Sequence, residues 1–116
     1  MTQRIGAALA LLLLAGCASD PAPVAQLQLT EQALQQARAV GATGEPEALG
    51  RAEAGLAGAR QAFEREEYRQ ARMLAERAEL DARLVEAQSL TASHRAHINE
   101  MKARIAELRA QLEAQP

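Results

Sequence analysis

One thiol and a pair of imidazoles are the side chains in this sequence with the most chemistry to offer. Cys17 follows a run of leucines directly and has no second cysteine to pair with, so an intramolecular disulfide is excluded. His94, His97 and Glu100 recur at spacings of three, roughly along one helical face. Two imidazoles so placed can share a metal, and a carboxylate can add a third ligand. Arg95 and Lys102 stand close by, and no second segment offers a fourth ligand, so the triplet falls short of a metal site and no cofactor is expected. His94 also lies on the heptad that leads to Ile98, where it serves equally as a polar register residue. Ser93 neighbours His94, but adjacent residues on a helix point about 100° apart and cannot form a nucleophile–base pair. No glycine-rich phosphate loop follows a strand. The carboxylates are many but interleaved with bases on polar faces. Catalysis is not expected.

The position of Cys17 explains its use. Arg4 precedes an almost wholly apolar run over 5–15, and small residues follow, the three-part layout of a secretory signal. The run is too short to span a bilayer, which needs about 20 residues. Leu14-Ala15-Gly16-Cys17 resembles the lipobox of bacterial lipoproteins. A thiol suits the modification that this resemblance implies, because its thiolate is a strong nucleophile. It implies S-diacylglycerol on Cys17, cleavage between Gly16 and Cys17, and an N-acyl chain such as palmitate on the new amine. Each buried methylene contributes about 0.8 kcal/mol, so three chains would hold the protein in the membrane permanently. Ala18 follows the cysteine, not the aspartate that in enteric bacteria resembles an inner-membrane retention signal. The expected location is the cell envelope, at the periplasmic face of the outer membrane.

Composition narrows the partners. The net charge is −2, and basic residues alternate with acids throughout. Nucleic-acid binding needs a concentrated positive face and is not expected. Phe63 and Tyr68 are the only aromatic residues, so stacking platforms for bases or sugars are missing. Alanine, leucine, glutamate, glutamine and arginine dominate, the strong helix formers. The chain reads as all-α with a thin core.

The elements follow from glycine, proline and periodicity. Residues 18–23, "ASDPAP", read as a tether held extended by two prolines. A first helix is predicted over 25–40, with Leu27, Leu34 and Ala37 on one face, and Gly41 to Gly44 ends it. A second opens at Glu45-Pro46-Glu47, with proline in its first turn. Its stripe is Leu49, Ala52, Leu56, Ala59 and Phe63. The pattern then changes phase, which predicts a tight turn over 65–67 although no glycine marks it. A third helix runs from Tyr68 to about Glu113 without glycine or proline. It carries a small-residue stripe (Ala71, Ala75, Ala78, Ala82, Val85) and a stripe of larger residues that includes Leu80 and Leu84. Ile98, Met101, Ile105, Leu108 and Leu112 form a heptad seam with a and d positions filled. The first two helices are too short to cover that seam. The expected architecture is a three-helix bundle, an antiparallel hairpin plus a short N-terminal helix, whose long C-terminal helix extends as a coiled-coil-like segment. The domain plan is a signal peptide over 1–16, lipidated cysteine and tether over 17–23, bundle over 24–89 and helical extension over 90–116.

Thr30 to Glu86 is similar to the domain of unknown function found in small Ala-rich bacterial lipoproteins and, in some relatives, ahead of an OmpA-like peptidoglycan-binding domain. Ala33, Ala37, Gly41, Pro46, Leu49, Ala52, Leu56, Ala59, Phe63, Tyr68, Ala71, Leu74, Ala75, Ala78 and Ala82 carry the resemblance. The family turn resembles G-D-Y, where this chain has Glu66-Glu67-Tyr68. Phe63, Tyr68, Ala71 and Ala78 also resemble one tetratricopeptide hairpin, but such repeats build a groove only when several stack. The family brings no assigned activity. No OmpA-like domain is expected after Pro116, so the resemblance does not imply peptidoglycan binding. The expectation is a lipid-anchored structural or interaction module, an adaptor or scaffold. Its partners would be the membrane through the anchor and a protein or second copy through the C-terminal seam. Two alternatives differ in class: a metal- or small-ligand module using His94 and His97, and an auxiliary subunit of an envelope enzyme.

Overall fold

The computed structural model describes residues 20–41, 44 and 46–115. Gly16 and Cys17 lie outside them, as does the rest of the expected signal sequence. Helix α1 spans Val24–Ala39, α2 Pro46–Glu64 and α3 Tyr68–Glu113, and no strand occurs among the described residues. The all-α, three-helix expectation is met, and the helix limits agree to within about a residue.

Local chemistry sets the limits. Gly41 takes φ 76° just past α1, and its N–H donates to the Arg38 carbonyl at 3.1 Å. Pro46 opens α2 where its missing N–H costs nothing. The end of α2 is a six-residue cap: the Glu67 N–H donates to the Ala62 carbonyl (2.9 Å) and the Glu66 N–H to the Phe63 carbonyl (3.0 Å). That cap requires a left-handed residue, and Glu66 supplies it at φ 60°. The phase change in the sequence thus marks a real turn, with glutamate in the conformation that glycine adopts without strain. The two aromatic rings clasp this turn, Phe63 and Tyr68 tilted at 54° with centroids 5.6 Å apart.

The core is built of alanine. Ala52, Ala59 and Ala62 of α2 meet Ala71, Ala75, Ala78 and Ala82 of α3, all buried. A Cβ added at Gly55 would sit 2.9 Å from the Ala78 Cβ, so the two helices touch nearly backbone to backbone there. Close approach replaces bulk: Leu34, Leu56 and Val85 are the larger aliphatic side chains buried among the described helices. Gly55 against Ala78 and Gly58 against Leu74 fix α2 and α3 as antiparallel. Helix α1 runs parallel to α3, because Thr30 lies at Ala75 while Ala37 packs with Val85. Its antiparallel partner is α2, through Arg38–Glu53 (2.6 Å) and Glu31–Arg60 (3.1 Å).

Two polar contacts fix the α1–α3 register. The Thr30 hydroxyl is fully buried and lies 2.8 Å from its own helix carbonyl at Gln26 and 2.9 Å from the Ala75 carbonyl of α3. Glu79 accepts from Gln26 Nε2 at 2.6 Å and from Arg83 Nε at 2.9 Å. The Gln26 bond, then Arg83, holds the Glu79 carboxyl below its ordinary value, although partial burial pushes the other way.

The end of the expected tether is not free. Pro23 is buried, and Asp20 reaches Arg72 at 3.7 Å, which draws the segment onto the start of α3. The chain therefore comes in at the hairpin-turn end, and α3 points away from it. Its 46 residues reach about 69 Å. Val85 is the last buried residue, Ser89 is half-covered, and every described residue from Leu90 onward is exposed.

Candidate interaction surface

Apart from Leu90, the exposed large apolar side chains of α3 fall into one heptad register. Counting from Ile98 as a, positions a hold Arg77, Leu84, Thr91, Ile98, Ile105 and Leu112, and positions d hold Met73, Leu80, Ala87, His94, Met101 and Leu108. All are exposed: Ile105 by 46 %, Ile98 by 50 %, Leu108 by 51 %, Met101 by 53 % and Leu112 by 72 %. The buried alanines occupy b and f, roughly 150° around the helix from the a/d face at 100° per residue. The seam therefore does not begin where the bundle stops. Leu80 and Leu84, opposite the covering helices, are 67 % and 57 % exposed. The sequence pattern puts Leu80 and Leu84 on the same stripe as Ile98 but implies that the first two helices cover them; the covering helices lie on the alanine face instead, and Met73 joins the open stripe.

At its N-terminal end the seam runs into an open groove of about 890 Å³ beside the hairpin turn, where Tyr68, Met73 and Arg77 line α3 and Asp20 forms the opposite edge. The bundle interior itself is filled by alanine, and the groove lies outside it.

Neither imidazole lines the groove. His94, His97 and Glu100 are all exposed, and His97 Nδ1 lies 4.0 Å from Glu100 Oε2. Among the described residues no group of three or more His, Cys, Asp or Glu side chains comes together as a metal cradle. His94 falls on the seam itself. No helix among the described residues is long and apolar enough to cross a membrane.

Residues 25–101 match the family model of DUF4398, a domain of unknown function. The chain belongs to the DUF4398 family. A crystal structure of a DUF4398 family protein from Pseudomonas aeruginosa PAO1 superposes with a TM-score of 0.77 at 47 % identity, covering 80 % of this chain and 97 % of that one. No curated protein matches the chain. The DUF4398 match spans all of α1 and α2 except Val24, and it follows α3 as far as Met101. Ile105, Leu108 and Leu112 continue the seam past the DUF4398 model.

Proposed function

We propose that this DUF4398 protein is a lipid-anchored cell-envelope module that works by binding, an adaptor or scaffold without catalytic activity or cofactor. The observation that carries the reading is the exposed apolar seam of α3, with every a and d position filled from Ile98 to Leu112 and the same face resumed at Leu80 and Leu84. A contiguous exposed apolar stripe of this kind marks an interaction surface. The anchor is Cys17, S-diacylglycerylated and N-acylated after cleavage behind Gly16, at the periplasmic face of the outer membrane. Cys17 precedes Asp20 by three residues, a reach of at most about 11 Å. The groove and hairpin turn therefore stay near the lipid, and the seam is carried away from it.

Two measurements test the two halves of the reading. Cells fed a palmitate analogue should label the protein, and Cys17→Ala should abolish the label; an unlabelled wild type overturns the anchor. A photo-crosslinking residue at Met101, in the native envelope, should give one discrete adduct. Ile105→Glu with Leu108→Glu should remove that adduct and leave most helicity intact. An adduct unaffected by the pair of substitutions overturns the seam.

A further inference from the structure

The residues beside the seam say what can cover it. Beyond Leu90, which sits at g, only a and d carry large apolar side chains, and the flanks hold basic residues and no acid. Arg95, Lys102 and Arg109 occupy e, and His97 and Arg104 occupy g. Glu100 and Glu107 sit at c, turned away from the seam. A stripe confined to a and d is the width of a coiled-coil contact, whereas a helix that lies on lipid presents a broader apolar face, commonly with tryptophan or phenylalanine. Ile98 and Ile105 at a, with Leu108 at d, suit a two-stranded coil.

A second copy of this chain does not fit. In a parallel in-register pair each g residue faces the next e residue of the other helix. That sets Glu76 against Asp81 and Arg104 against Arg109, and it forms no acid–base pair. An antiparallel overlap of two extensions sets Arg95 against Arg109 and Lys102 against its own copy. Like charges at e and g select against a pairing as strongly as opposite charges select for one.

We infer that the seam takes one helix of a different protein, with an apolar a/d stripe and acidic e/g flanks. This rests on the reading of the seam as an interaction surface and names the chemistry of what it binds. The test uses the chain from Ala18 onward, which contains every described helix. Two synthetic peptides of about four heptads, with Ile at a and Leu at d, carry Glu or Lys at every e and g. Fluorescence anisotropy should show the Glu peptide binding at least about tenfold tighter than the Lys peptide. Its affinity should fall as salt screens the flanks. Lys102→Glu with Arg104→Glu and Arg109→Glu, all at exposed positions, should reverse the preference. Equal affinity for both peptides overturns the inference. So does self-association, in sedimentation equilibrium, tighter than Glu-peptide binding, and so does binding to phosphatidylglycerol vesicles but to neither peptide. Each of those results leaves the seam an interaction surface provided Ile105→Glu with Leu108→Glu abolishes it. If that pair changes none of them, the underlying reading fails as well.

Discussion

The two halves of α3 are one helix with one sequence rule and two fates. In the bundle, alanines at b and f disappear beneath α1 and α2. In the extension the same face continues as Ala92, Ala96, Ala103, Ala106 and Ala110, and all of them are exposed. Alanine does not decide burial here. The lengths of the covering helices do, since α1 ends at Ala39 and α2 begins only at Pro46. Alanine decides how closely a covering helix can come. The extension remains helical on propensity and on its continuity with a packed helix, which spares it a new nucleus.

The contrast is broken most sharply by adding bulk to that shared face. Ala78→Leu has nowhere to go, because Gly55 already lies against the Ala78 Cβ. It should cost about 3 kcal/mol in chemical denaturation. Ala103→Leu, the same exchange in the extension, should stay within about 0.5 kcal/mol. Similar costs at both positions would mean that the extension is covered. Thr30→Val keeps the shape of the buried side chain and removes its hydrogen bond across to Ala75. A loss of about 1 kcal/mol is expected, with amide exchange faster in α1 and unchanged beyond Leu90.

Smaller substitutions sharpen the same boundary. Glu66→Gly relieves the left-handed glutamate at the hairpin cap and should stabilise the bundle by up to about 1 kcal/mol in thermal melts. A loss instead would show that the Glu66 side chain contributes more than its backbone strain costs. The smallest effect is electrostatic. Glu79 titrates lower in the folded chain than in the unfolded one, where about 4.3 is usual. Its contribution is therefore complete above that value and fades as pH falls through the depressed one. The Gln26 bond is its main source, and Arg83, largely in water, adds little. Glu79→Gln should flatten the pH dependence of stability on the acid side, and an unchanged slope would assign that slope to other carboxylates.

Much of this was legible in the residues. Gly41 and Pro46 bracket a loop by their backbone chemistry, and the phase slip after Phe63 announces a turn that no glycine marks. The alanine stripe of the third helix names its buried face. What stayed hidden depends on packing geometry. Thr30 looks like any polar residue on a first helix until a carbonyl of another helix arrives beside it. Leu80 and Leu84 look like core until the alanine face is seen to win, because small side chains let two backbones close where leucines would hold them apart. The direction of α1 along α3 is set by contacts between residues far apart in sequence, such as Gln26 with Glu79, and no local pattern encodes it. The members of the imidazole triplet share one exposed helix, and that much their spacing already states.

The parallel course of α1 and α3 has a mechanical consequence. The segment from Asp20 enters α1 at the hairpin end, and the far tip of α3 lies beyond the other end. A pull between the two drags α1 and α3 in opposite directions along their common axis. The alanine contacts, the Thr30 bond and the Gln26–Glu79 bond are then loaded together, in shear, and none can be peeled away before the rest. A strut stretched between a fixed base and a moving partner is best built this way, and a force spectrum should show one rupture for the bundle in place of a staircase.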